Sequence, residues 1–162
     1  MKCAIEIRGQ GGKGERSIHM KGHSMAPLKI DPEKCCGCRI CEMACSMVHL
    51  DLFNPRKALL RIEINRLPMV GTKVSEIDVP IVCLQCDPAP CAEACPEGAI
   101  EKVPTGVWVV DIKKCTGCGL CVDACSFGMI AVDGQEGFAR KCDLCGGAPS
   151  CVAYCPTEAL AF

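Results

Sequence analysis

The sequence predicts a small α+β protein in which short helices and short β-hairpins surround groups of cysteines, with little conventional hydrophobic core. The chain has 162 residues and 18 cysteines, a content typical of small proteins held together by cross-links or metal. It contains one tryptophan, one tyrosine and four phenylalanines, too few to fill a large apolar interior. Inorganic groups are therefore expected to supply much of the interior and of the folding free energy.

Composition and charge exclude several classes of function. The formal net charge is −1, and there is no basic stripe of the kind that favours nucleic acid. No apolar run approaches the roughly 18 residues of a membrane span, and residues 1–22 lack the apolar segment of a secretory signal. We therefore expect a cytoplasmic protein with no direct membrane span, in which structural disulfides are not formed.

Most of the cysteines form four quartets whose spacing repeats along the chain. The first and third quartets have gaps of two, two and three residues, whereas the second and fourth have a wider middle gap and end in Cys-Pro. This alternation indicates duplication of a two-quartet unit. The quartets are Cys35, Cys38, Cys41 and Cys45; Cys83, Cys86, Cys91 and Cys95; Cys115, Cys118, Cys121 and Cys125; and Cys142, Cys145, Cys151 and Cys155.

The segments around the quartets predict the regular elements in chain order. Residues 1–30 interleave glycine with lysine and arginine and are expected to form an arm that docks on a partner chain. A short helix is predicted over residues 41–50, ending before Asn54-Pro55, with His49 facing solvent or a partner. Alternating or β-branched runs and turn residues predict strands and hairpins at residues 60–65, 77–82, 98–110 and 129–139.

The spacing of the cysteines favours iron–sulfur chemistry over zinc. Three thiolates in one tight loop reach three corners of a four-iron cube, and the fourth, on the helix that follows, ligates a neighbouring cube. Structural zinc instead takes two Cys-x-x-Cys pairs separated by a dozen or more residues, and the cysteine triplets do not divide in this way. Four [4Fe–4S] clusters are expected, with a zinc protein as the alternative.

Two pairings of the quartets are compatible with the linkers. Residues 96–114 and 126–141 are short linkers, whereas residues 46–82 are a long one. Pairing the second quartet with the third makes a compact inner unit, residues 83–130, nested within an outer unit of residues 31–82 plus 131–162. Consecutive pairing, first with second and third with fourth, is the rival.

Several of these segments resemble a known family. CLQCDPAPCAEACPEGAI, KCTGCGLCVDAC and RKCDLC followed by CVAYCP resemble the four-cluster iron–sulfur subunits of dimethyl sulfoxide reductase-type and formate dehydrogenase-type complexes, over about residues 28–162. The resemblance implies two pseudo-symmetric bacterial-ferredoxin-like units and a molybdenum or tungsten pterin enzyme as partner. The chain lacks large insertions and a C-terminal anchor, which favours a cytoplasmic complex with a tungsten aldehyde oxidoreductase-like enzyme.

The resemblance also favours nesting, and nesting fixes the expected ligands of each cluster. Each cluster takes three cysteines from one quartet and the fourth cysteine from its paired quartet. The four expected sets are Cys35, Cys38, Cys41 and Cys155; Cys142, Cys145, Cys151 and Cys45; Cys83, Cys86, Cys91 and Cys125; and Cys115, Cys118, Cys121 and Cys95.

The remaining polar residues are assigned minor roles. Cys3 and Cys36 are spare cysteines and are expected to be inert. Lys114, Arg140 and Lys141 precede cysteines, and they either raise cluster potentials by offsetting negative charge or form an ordinary solvated face.

No catalytic group, phosphate loop or nucleotide fingerprint is visible, so the chain is expected to transfer electrons without catalysing a reaction itself. The expected partners are a catalytic oxidoreductase subunit and a second redox protein, either flavin- or NAD-linked or a ferredoxin. Stacking on further copies of the chain is an additional hypothesis. A free soluble polyferredoxin and a structural or regulatory metal protein are the alternatives.

Overall fold

The computed structural model describes residues 27–67 and 75–162. None of the helices within these ranges could span a lipid bilayer. Short helices and short strands alternate along the chain, in agreement with the predicted α+β class. The helices are α1 (Ile40–Leu50), α2 (Pro90–Glu93), α3 (Leu120–Asp123) and α4 (Ser150–Ala153). The strands are β1 (Lys29–Ile30), β2 (Arg61–Leu67), β3 (Ser75–Ile81), β4 (Ile100–Lys102), β5 (Trp108–Val110), β6 (Ile130–Val132), β7 (Ala139–Lys141) and β8 (Leu160–Ala161).

The described strands form four antiparallel pairs. β2 pairs with β3, β4 with β5 and β6 with β7, so each of these pairs joins strands that are consecutive in the chain. β1 and β8 are instead about 130 residues apart in the chain, and they pair with Ile30 opposite Leu160. The predicted strands and hairpins are confirmed, whereas the β1–β8 pair was not predicted because a two-residue strand leaves no periodic pattern.

The β1–β8 pair shows that the fold includes the end of the predicted arm. Leu28 is buried and Lys29–Ile30 lie in β1, inside the range 1–30. Residues 1–26, with Cys3, lie outside the described residues, and their docking on a partner stays a prediction.

Helix α1 begins and ends at residues with left-handed backbone conformations. Arg39 precedes the helix with a φ of 58°, and Asp51 follows it with a φ of 54°. The Asp51 N–H donates to the carbonyl oxygen of Met47 at 3.0 Å, which closes the last turn. The predicted helix over residues 41–50 is therefore confirmed.

Two separate cores of buried side chains lie on either side of the β4–β5 hairpin. One core contains Leu28, Leu60, Ile62, Val82, Val107, Leu144 and Leu160 together with cysteines of the first and fourth quartets. The other contains Ile100, Ile130 and Ala139 with cysteines of the second and third quartets. Along β5 the side chains alternate, so that Val109 packs on the first core while Trp108 and Val110 pack on the second.

Candidate metal centres

The structure brings the quartet cysteines together in four groups, each with three cysteines from one quartet and the fourth from another. We call these groups sites A to D. Site A comprises Cys35, Cys38, Cys41 and Cys155; site B comprises Cys142, Cys145, Cys151 and Cys45; site C comprises Cys83, Cys86, Cys91 and Cys125; and site D comprises Cys115, Cys118, Cys121 and Cys95.

The cysteines of sites A, C and D line three separate cavities. In site B, Cys45, Cys142 and Cys151 pack in the first core, and the Cys145 thiol lies close enough to Cys45 and Cys151 to influence their pKa values. Cys36 is exposed and also lines the cavity of site A. Cys3 lies outside the described residues.

A left-handed residue immediately before the second cysteine shapes every quartet loop. This conformation reverses the backbone so that neighbouring N–H groups turn toward a common centre, an arrangement typical of phosphate and iron–sulfur sites. Two of the four residues are glycines, which adopt it without a steric penalty. The four residues are Gly37 (φ 66°), Gln85 (φ 50°), Gly117 (φ 69°) and Leu144 (φ 56°).

Backbone N–H groups donate to several of the cysteine sulfurs. In the second and third quartets the donor to the fourth cysteine lies four residues later in the chain. In the first quartet, α1 continues and a more distant residue, Leu59, supplies the donor. The bonds run from Ala99 to Cys95, from Met129 to Cys125, from Leu59 to Cys45 and from Ala139 to Cys115, each at 3.3 Å. Such donors stabilise a thiolate, the form in which cysteine binds metal.

Burial has the opposite effect on several of the quartet cysteines, because it raises the thiol pKa and so disfavours the thiolate. It is the largest cause that raises the pKa of Cys41 and Cys151 to about 12 and that of Cys45 to about 11. At Cys155, burial also raises the pKa, but backbone hydrogen bonds from Leu160, Thr157 and Ala159 outweigh it and the net shift is downward. Metal binding at sites A and B must therefore displace protons from buried thiols.

The residues around the cavities fit [4Fe–4S] clusters. Each site offers four sulfur donors, and such all-cysteine sites hold this type of cluster. Trp108 lines the cavity of site C, and its buried Nε1–H has no hydrogen-bond partner within the described part of the chain. A sulfur-rich group in this cavity would give the indole an acceptor.

The four sites adjoin one another in the order A, B, C, D. Helix α1 packs against α4 and thereby joins site A to site B, and α2 packs against α3 between sites C and D. Sites B and C adjoin, because Gln85, which lies between Cys83 and Cys86 of site C, donates its Nε2–H to the Cys142 carbonyl oxygen at 2.7 Å. Burial and then the nearby Cys83 thiol raise the pKa of Cys142, in agreement with this contact. Sites A and D are therefore the two ends of the series.

His49 is a neighbour of site B that sequence reasoning missed. It was expected to face solvent or a partner, but its Nε2 lies 3.6 Å from the Cys145 sulfur and 3.5 Å from Asp143 Oδ1. Because 96 residues separate His49 from Cys145, no local pattern could have indicated this contact.

Comparison with known proteins agrees with this chemistry. Residues 75–162, more than half of the chain, match the family described as a 4Fe-4S dicluster domain. The chain therefore belongs to this family of iron–sulfur proteins, and the expected iron–sulfur, ferredoxin-like class is confirmed at this level.

Three relatives indicate the context in which such chains occur. The polyferredoxin-like subunit of an aliphatic sulfonate oxidoreductase from Pyrococcus furiosus is 39% identical over 129 residues, covering 79% of this chain and 70% of the relative. The electron transport protein HydN of Escherichia coli K12 is 38% identical over 149 residues, covering 80% and 83%. The thiosulfate reductase electron transfer subunit PhsB of Salmonella typhi is 33% identical over 140 residues, covering 82% and 72%.

Proposed function

We propose that this chain is the electron-transfer subunit of an oxidoreductase complex and carries four [4Fe–4S] clusters, one in each of sites A to D. The single observation that carries this proposal is the arrangement of four all-cysteine sites that adjoin in one series. A series of closely spaced one-electron carriers relays electrons between its ends. In this proposal the chain transfers electrons, and its partner carries out the chemistry.

The exposure of the cysteines supports a path of electrons that runs between sites A and D. Among the sixteen candidate ligands only Cys38, in site A, and Cys118, in site D, are exposed. The candidate ligands of sites B and C are all buried or partly buried. Electrons therefore enter and leave at sites A and D, while the protein around sites B and C excludes water.

The two cores support nesting of two pseudo-symmetric ferredoxin-like units. In this proposal the unit of residues 83–130 contains sites C and D, and the outer unit of residues 31–82 plus 131–162 contains sites A and B. Each unit exchanges its fourth cysteines between two quartets, as two-cluster ferredoxins do. The exchange ties the two halves of a unit together through metal, which compensates for small apolar cores.

The catalytic partner that we propose is a molybdenum or tungsten pterin enzyme of the aldehyde oxidoreductase type, within a cytoplasmic complex. The names of the relatives support an oxidoreductase partner in general, since two of them are named as subunits of sulfonate or thiosulfate-converting enzymes. The catalytic partner would contact one end of the series, site A or site D. A flavin- or NAD-linked protein, or a ferredoxin, would contact the other end.

Anaerobic purification from the native host, followed by metal analysis and identification of co-purifying proteins, tests this function. About 16 iron and 16 sulfide per chain, together with a molybdenum or tungsten enzyme, are the expected result. Zinc in place of iron would overturn the proposal in favour of a structural metal protein. Full iron in a chain that purifies without any partner would favour a free polyferredoxin.

Double substitutions test the ligand exchange. If Cys125 and Cys83 serve the same site, Cys125→Ala combined with Cys83→Ala removes only one cluster and leaves about 12 iron per chain. Combined with Cys118→Ala, Cys125→Ala instead removes two clusters and leaves about 8 iron. The reverse pattern would show that Cys125 ligates the cluster of its own loop and would refute nesting.

A further inference from the structure

Three lysines occupy the same position in their quartets, immediately before the first cysteine, but only one of them is buried. Lys34 pairs with Asp31 at 3.2 Å and Lys114 with Glu101 at 3.0 Å, and both lysine side chains are at least half exposed. Lys141 is only 6% exposed. A lysine is almost never buried in this way unless a group of opposite charge compensates it.

The ammonium group of Lys141 is held by neutral acceptors. Its Nζ donates to the carbonyl oxygen of Trp108 at 2.8 Å and to Oε1 of Gln85 at 3.3 Å, and it lies 3.5 Å from the carbonyl oxygen of Cys142. Among the side chains that the structure describes, those of residues 27–64 and 78–162, no carboxylate forms a salt bridge with Lys141. These bonds fix the position of the charge but do not neutralise it.

The position of Lys141 shows where a counter-charge would lie. The side chain lines the cavity of site C beside Trp108. Burial raises the pKa of Cys91, a site C cysteine, and the Lys141 cation is the largest influence that opposes this rise. Cys142, the next residue in the chain, belongs to site B. The cation therefore lies at the junction of sites B and C, where the two proposed units meet.

Two loaded sites at this junction would repel each other strongly. A [4Fe–4S] cluster with four thiolates is an anion, and each added electron makes it more negative. A buried cation beside such a cluster stabilises the reduced form more than the oxidised form, because Coulomb interactions are strong where water is excluded. The effect of an exposed lysine that pairs with a carboxylate is much smaller.

We propose that Lys141 is the fixed positive charge that raises the reduction potential of the site C cluster and thereby determines the electron step between sites B and C. This inference rests on the proposed function, since it requires clusters in both sites. Gln85 acts with Lys141 as a positioning residue. Its Oε1 accepts the backbone N–H of Trp108 at 2.9 Å, and its Nε2 donates to the Cys142 carbonyl oxygen at 2.7 Å.

Redox titration of the anaerobic full chain, followed by electron paramagnetic resonance, tests the proposal. In Lys141→Met one of the four midpoint potentials is expected to fall by at least about 59 mV, which for one electron corresponds to a tenfold change in the equilibrium constant. Lys141→Arg, which keeps the charge, should retain most of the wild-type value. In Lys114→Met, the matched control at an exposed position, all four potentials should stay unchanged. The signal that shifts should be the one that Cys125→Ala removes.

Each outcome decides the proposal. Four clusters with unshifted potentials in Lys141→Met overturn it, as does an equal shift in Lys114→Met. Lys141→Gln keeps a hydrogen-bond donor but carries no charge. It replaces Lys141→Met as the neutral variant in the titration if the methionine variant does not bind iron. Loss of clusters in both neutral variants, with a normal Lys141→Arg, would assign Lys141 a purely structural role. Iron and sulfide counts on the wild-type chain test the proposed function separately.

Discussion

Gly117, between Cys115 and Cys118 of site D, is expected to tolerate no larger side chain. Its φ of +69° lies in the left-handed region, where an added Cβ costs about 1–2 kcal/mol. A Cβ at this position would also collide with the carbonyl oxygen of Gly137 and lie 3.0 Å from its carbonyl carbon. Because backbone cannot rotate away as a side chain can, overpacking adds about 1–3 kcal/mol. Gly117→Ala should therefore destabilise the protein by about 2–5 kcal/mol.

Two other glycines separate these contributions. Gly119 has a φ of +84°, but apart from its two chain neighbours no described residue lies within 4 Å of an added Cβ. Gly119→Ala should therefore cost only the conformational part, about 1–2 kcal/mol. Gly134 has open space and no left-handed φ, so Gly134→Ala should be neutral or stabilise by about 0.4–1 kcal/mol. The rate of cluster loss in urea under anaerobic conditions, measured by absorbance, ranks the three variants. Equal rates for Gly117→Ala and Gly119→Ala would refute the proposed packing on Gly137.

Two further predictions concern residues that look alike in sequence. Ser46 is fully buried, donates to the Met43 carbonyl oxygen and accepts the Asn54 N–H, so Ser46→Ala should cost about 1–3 kcal/mol in urea unfolding. Ser126 follows the third quartet in the same way but is exposed, so Ser126→Ala should change stability by less than about 0.5 kcal/mol, and comparable losses would contradict this. Cys36→Ser should keep about 16 iron per chain, and a loss of iron would make Cys36 a ligand.

Much of the local structure could be predicted because it depends on residues close together in the chain. The spacing of the cysteines predicts the loops, and the turn at residues 104–106 predicts the β4–β5 hairpin, which the structure contains. Helix α1 was also predicted, because its apolar residues and the following Asn54-Pro55 are local signals. By contrast, the β1–β8 pair and the contact between His49 and Cys145 join distant parts of the chain, where no pattern in one segment reports on the other.

The backbone N–H groups that donate to the cysteine sulfurs also divide into those set by neighbouring residues and those set by distant contacts. At Cys95 and Cys125 the N–H of the residue four positions later reaches the sulfur, so the local chain suffices. At Cys45 the helix occupies those positions, and Leu59 becomes the donor only because the chain turns back after the helix. The buried Ser46, which accepts the Asn54 N–H at 3.1 Å, fixes that turn.

The sequence by itself determined the number, type and spacing of the candidate ligands, because a tight loop and the helix after it are dictated by a few neighbouring residues. The tertiary structure decided the order of the four sites and which of three equivalent lysines is buried. Lys34, Lys114 and Lys141 cannot be distinguished by sequence position. Only Lys141 is buried, because β7 packs beside β5 and thereby brings its ammonium group to the Trp108 carbonyl oxygen at the junction of sites B and C.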